Sequence, residues 1–135
     1  MEIQVTKEER RVSVTVLSLS GPLTDGEQLE KAADVEIDAG ARYILVDLSA
    51  VPYTATSGLR ALHHIFDRLR TIEHADSDED DPNAAMREGI SSGSYVSPHL
   101  KLLKPSKNSL HALQVSGYDM FLQIFDKRDK ALDAF

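Results

Sequence analysis

Cysteine is absent from this chain of 135 residues, which excludes a disulfide framework, a thiolate nucleophile and any cysteine-based zinc or iron–sulfur site. No apolar run is long enough to span a bilayer. The first residues, Met1-Glu2-Ile3-Gln4-Val5-Thr6-Lys7-Glu8-Glu9, lack the apolar centre of a secretory signal, so the expected compartment is the cytoplasm. Basic residues form no stripe. The formal charge is -7, and the run EHADSDEDD from Glu73 to Asp81 supplies six acids with no Lys or Arg. Without that run the balance is close to neutral. The acids repel nucleic acid and anionic lipid, so neither nucleic-acid binding nor membrane insertion is expected. The G-x-S-x-G, Walker A and G-x-G-x-x-G signatures are also missing, and no enzymatic activity, cofactor or metal is expected.

What is present is ordinary for a globular protein: 41% hydrophobic and 27% charged residues, in a chain about one domain long. A domain of this size hides roughly two-thirds of the surface that its unfolded chain exposes, enough for a core without metal or disulfide. Two strand signals occupy Met1 to Ser20, separated by the charged turn Lys7-Glu8-Glu9-Arg10, and Val12, Val14 and Val16 alternate with Ser13 and Thr15 as in a half-buried strand. Gly21-Pro22 breaks the second strand. Leu29, Ala32, Ala33 and Ile37 then recur at helical spacing from about Gly26 to Ala39, with Gly40 as the stop. Tyr43 to Val51, YILVDLSAV, reads as a central strand covered on both faces and ended by Pro52. A second helix follows, marked by Leu59, Leu62, Phe66, Leu69 and Ile72, with Arg60, His64, Asp67 and Arg70 off the stripe.

From about Glu73 to Ser97 the periodicity stops and acids, Gly and Ser dominate, so a solvated, flexible insertion is expected. Its acids lack the Gly-containing loop of an EF-hand and read as a solvated charge run. Beyond it, His99 to Leu103 predicts a strand. Asn108 or Ser109 can cap a helix carrying Leu110, Leu113 and Val115 and ended by Gly117. Phe121 to Phe125 predicts a last strand and Arg128 to Phe135 a closing helix. Strands alternating with helices predict a single α/β domain over residues 1–135, with a largely parallel or mixed sheet.

The most informative stretch is Thr54-Ala55-Thr56-Ser57-Gly58-Leu59, at the carboxyl end of the central strand, where open α/β sheets build their sites. The plain reading of Thr56 or Ser57 is a helix N-cap. A phosphate on Ser57 would also be favoured by the helix N-terminus, and its added charge would eject a partner docked over Gly58.

ILVDLSAV followed by TATSGLRAL resembles the STAS domain, in particular the bacterial anti-sigma factor antagonists. The likeness extends over Met1 to Ile72 and Leu100 to Phe135, including Gly117-Tyr118-Asp119 and Ile124-Phe125-Asp126 near the end. It implies a four- or five-stranded mixed sheet with helices mainly on one face. It further implies that Ser57 accepts phosphate from an anti-sigma factor that is also a serine kinase, and that the unphosphorylated protein binds this partner. The partner surface it implies comprises Leu23, Thr24, Asp25, Thr56, Ser57, Gly58, Leu59, Arg60 and His64, near Gly21. Two positions depart from the family pattern: Ala55 stands where Asp usually lies two residues before the acceptor, and the acid after the second strand is displaced to Asp25. Thr56 and Thr54 are the alternative acceptors. A non-switching STAS scaffold or regulatory subunit of a stress-signalling or transport complex is the competing reading. Self-association into a homodimer is left open, and a small-molecule module would need a pocket.

Two other constellations are weaker. His63 and Asp67 lie one helical turn apart but have no third ligand, so packing or surface exposure is the reading. Asp47 lacks the acidic pair of a receiver domain and is expected to bond to nearby backbone.

Overall fold

A computed structural model describes residues 1–75 and 96–135. The elements run β1 (Glu2–Glu9), β2 (Ser13–Ser20), α1 (Gly26–Asp38), β3 (Ile44–Ala50), α2 (Thr56–Ala75), β4 (Leu100–Leu103), α3 (Lys107–Ser116), a 3-10 turn (Tyr118–Met120), β5 (Gln123–Phe125) and α4 (Arg128–Asp133). The five strands form one sheet in the order β1-β2-β3-β4-β5. β1 pairs antiparallel with β2, and the remaining pairs are parallel, with Leu17 opposite Val46 and Val46 opposite Leu102. This is the expected mixed sheet at the five-stranded end of its range.

Alternation within the strands sends two sets of side chains to two faces. Leu17, Leu19, Ile44, Val46, Leu48, Leu100 and Leu102 meet Leu29, Ala33 and Ile37 of α1, Leu62, Ile65, Phe66 and Leu69 of α2 and Leu113 of α3 in the main core. On the other face Val14, Val16, Leu45 and Leu103 meet Ala131 and Leu132 of α4, with Val12, Tyr43, Phe125 and Phe135 packed against them. Helices therefore lie mainly on one face, as expected.

Several local expectations are corrected. The Lys7-Glu8-Glu9 run is strand, in register with Thr15, Val14 and Ser13, and the turn falls at Arg10–Val12. β2 is not half-buried: Val14, Thr15, Val16 and Leu17 are all buried, because α4 covers the face that a two-layer reading leaves to water. The cap of α3 is neither Asn108 nor Ser109 but Ser106, whose Oγ accepts from the Ser109 amide at 3.2 Å. Val115 is exposed, on the outer side of that helix. The last strand is shorter than predicted because Tyr118–Met120 forms a 3-10 turn. Of the acidic insertion, residues 76–95 lie outside the described residues. At its two ends α2 runs on to Ala75, and Ser97 is buried with its amide donating to the Phe121 carbonyl at 2.8 Å.

Candidate functional site

The loops leaving β2 and β3 stay joined beyond the ends of their strands. The Gly21 amide donates to the Ala50 carbonyl at 3.0 Å, the Leu23 amide to the Tyr53 carbonyl at 3.0 Å, and the Ala55 amide to the Leu23 carbonyl at 2.9 Å. Leu23 and Thr54 thus form an extra parallel bridge. That bridge fixes the starts of α1 and α2 side by side at the carboxyl edge of the sheet.

α2 begins at Thr56, so its N-cap position is Ala55, whose methyl group cannot accept a hydrogen bond. Ser57 lies inside the first turn and is not the cap of its own helix. Its Oγ instead accepts the amide of Gly26, the first residue of α1, at 2.9 Å. Asp25, at the N-cap position of α1, makes no side-chain capping bond. The serine hydroxyl therefore satisfies an amide at the start of α1 that would otherwise lack a partner. This approach requires glycine: a Cβ on residue 26 would stand 1.9 Å from the Ser57 carbonyl oxygen. Gly58 is equally confined, since a Cβ there would lie 2.6 Å from Leu23 Cγ and 2.9 Å from Thr54 Cγ2.

The nine residues expected on a partner surface differ in exposure. Thr24, Asp25, Thr56 and Arg60 are exposed and Ser57 is half-buried. Leu23, also expected on that surface, has 0% of its surface exposed and belongs to the core. Gly58 is buried against it, and half-buried Leu59 packs on the same core. These three pack around the start of α2, where Ser57 lies. His64 is drawn toward α1, its Nε2 2.9 Å from Asp34 Oδ1. Thr54, an alternative acceptor, is buried with its hydroxyl 2.7 Å from that of Ser109. Thr56 stays accessible.

Sequence reading missed the polar seam between α1 and α2. Arg68 donates to Asp34 at 3.0 Å and to Asp38 at 3.1 Å, beside His64. Partial burial works against the Asp34 carboxylate, but the bonds from His64 and Arg68 outweigh it and hold its pKa below the ordinary value. The same carboxylates raise that of Arg68. Nothing in one sequence pairs these charges, because they meet only once the two helices pack. Near Arg60, burial raises the Tyr118 phenol and the guanidinium opposes the rise. Asp47 behaves as expected, accepting the Ser49 amide at 2.9 Å. His63 is exposed beside the Phe66 and Tyr118 rings, and no group of three or more metal-ligating side chains occurs among the described residues.

A STAS domain profile matches residues 4–74, and the chain belongs to the STAS domain family. No curated protein sequence matches it. Among solved structures it is similar to a Thermotoga maritima protein assigned as an anti-sigma factor antagonist, with a TM-score of 0.69 at 16% identity over 97% of this chain and 92% of that one. An anti-sigma factor antagonist from Mycobacterium paratuberculosis matches at 0.67 and 19%, covering 98% and 93% of the two chains. The anti-sigma factor antagonist SpoIIAA in its unphosphorylated form matches at 0.54 and 18%, covering 98% and 96%. At these identities the likeness establishes the STAS fold. No helix among the described residues is long and apolar enough to cross a membrane.

Proposed function

We propose that this protein is a cytoplasmic, non-enzymatic anti-sigma factor antagonist that acts as a phosphorylation-controlled interaction switch. Unphosphorylated, it binds an anti-sigma factor that is also a serine kinase; phosphate on Ser57 releases it. The observation that carries this reading is the Ser57 hydroxyl, half-buried at the start of α2 and 2.9 Å from the first amide of α1. An anion there meets two helix N-termini, each favouring negative charge by a fraction of a kcal/mol to about 2 kcal/mol. Thr24, Asp25, Thr56 and Arg60 are exposed on the two helix starts, and about -1.5 to -2 added charges there would repel a partner already fitted to a neutral hydroxyl.

The test is incubation of the purified protein with ATP and lysate of its source, followed by mapping of phosphate by mass spectrometry, with Ser57→Ala as control. Phosphate on Ser57, lost in the control, together with capture of a kinase-type partner by wild type but not by Ser57→Asp, is the expected result. A captured partner with neither Ser57 nor Thr56 modified, and binding unchanged in Ser57→Asp, would replace the switch by a constitutive scaffold or regulatory subunit. Ala55 and Thr24, standing where acids are usual in the family, favour that second reading.

A further inference from the structure

At the opposite end of the sheet from Ser57, a cleft of about 300 Å³ opens between the β1–β2 hairpin and the loop from α1 into β3. Thr15, Lys7, Ser13, Gly40, Arg42 and Tyr43 line it. Thr15 is 2% exposed and lines the cleft, where its hydroxyl makes no side-chain hydrogen bond among the described residues. A hydroxyl that faces a cleft and has no protein partner can bond to an oxygen brought in from outside. Lys7 is its cross-strand neighbour and makes no ion pair among the described residues.

Arg42 is already held in place. One terminal nitrogen, Nη1, donates to the carbonyls of Ile37 at 3.1 Å and Ala41 at 2.8 Å. The guanidinium thereby neutralises the carbonyl end of α1, which would otherwise oppose an anion, and its remaining N–H groups have no protein acceptor among the described residues. The rim carboxylate of Glu9 accepts from the Ser13 hydroxyl at 3.0 Å and does not line the cleft. In a chain of net charge -7, this cleft offers two cations and one hydroxyl.

We propose that this cleft binds a tetrahedral oxyanion, free or as the phosphate of a small organic monoester, between Lys7 and Arg42 and against the Thr15 hydroxyl. The volume exceeds that of a bare phosphate, which favours the monoester. The test is an amide chemical-shift titration of the full chain with inorganic phosphate and, separately, with glucose 6-phosphate, each matched in ionic strength by chloride. Saturable shifts confined to Lys7, Ser13, Thr15 and residues 39–43 are expected, with tighter binding of the monoester. Affinity should fall about tenfold in Thr15→Val and in Lys7→Gln, the latter an exposed position that does not threaten folding. Tighter binding of phosphate than of the sugar phosphate would identify the free ion as the ligand. Shifts that do not saturate, that chloride reproduces, or that persist unchanged in both variants would overturn the proposal.

Discussion

Ser57 caps a helix to which it does not belong: its Oγ accepts the Gly26 amide at 2.9 Å, so the residue proposed as phosphoacceptor is also the clasp between α1 and α2. The contact leaves no space for a side chain at residue 26, where a Cβ would stand 1.9 Å from the Ser57 carbonyl oxygen and 2.9 Å from its Oγ. Gly26→Ala must therefore separate the two helix starts. A loss of about 3 kcal/mol is expected in urea unfolding, the upper end for inserting one methyl group into a packed site. A loss below about 0.5 kcal/mol, the range of ordinary surface substitutions, would mean that the clasp is loose.

Ala55→Asp should stabilise the protein. The residue before Thr56 is the N-cap position of α2, and Ala55 offers no acceptor there. An aspartate at that position contributes about 1 kcal/mol through its bond to a first-turn amide and its charge at the helix N-terminus. Thermal unfolding of the variant reads the gain directly. A lowered midpoint would show that the bond from the Ala55 amide to the Leu23 carbonyl, 2.9 Å long, cannot coexist with the cap.

The order of elements was legible because each announces itself locally: the apolar run of β3, the stripe of α2, the glycine that ends α3. The site was legible only as a place. Ser57-Gly58-Leu59 marks the junction, but that Leu23 faces inward follows from the Leu23–Thr54 bridge, a contact between two loops that no periodicity encodes. The covering of Val14 and Val16 by α4 was hidden for the same reason, since the C-terminal helix is too short to declare which face it covers. Asp34 and Arg68 carry no local signal, because their pairing depends on the packing of one helix on another.

Thr54 and Ser109 form a buried hydroxyl pair 2.7 Å apart, linking the β3–α2 loop to α3. Thr54→Val leaves the fully buried Ser109 hydroxyl without its partner and should cost about 1–3 kcal/mol. The double variant Thr54→Val/Ser109→Ala removes both polar groups and should recover part of that loss. A double-mutant cycle in urea checks the coupling. Strictly additive losses would show that the two hydroxyls act independently.

Asp34 should give the fold a specific acid sensitivity. Partial burial raises its pKa, but the bonds from His64 and Arg68 prevail and bring it below the ordinary 3.8. A carboxyl with a lowered folded-state pKa contributes stability above its unfolded value, and that contribution is lost as pH falls through the folded value. Asp34→Asn should therefore cost about 1 kcal/mol at pH 7, the range for a partly solvent-screened ion pair. The two proteins should converge in stability below the ordinary carboxylate range. Unfolding curves across acid pH test the sign, and a gap that widens on acidification would contradict the assignment.

Lys101 predicts the opposite dependence. It is 3% exposed on the α4 side of the sheet, with Nζ 2.5 Å from Gln123 Oε1 and 5.1 Å from the Phe135 ring centroid, and no carboxylate pairs with it among the described residues. Desolvation lowers its pKa from the ordinary 10.5, so the folded state bears a penalty for the charged form. That penalty is complete below the folded-state pKa and disappears as pH rises to the unfolded value. Lys101→Met keeps the length of the side chain and removes the charge, and should raise stability at neutral pH by about 1 kcal/mol. The advantage should shrink as pH approaches the ordinary lysine value. A variant less stable than wild type at neutral pH would show that the bond to Gln123 and the contact with Phe135 outweigh the desolvation of the ammonium group.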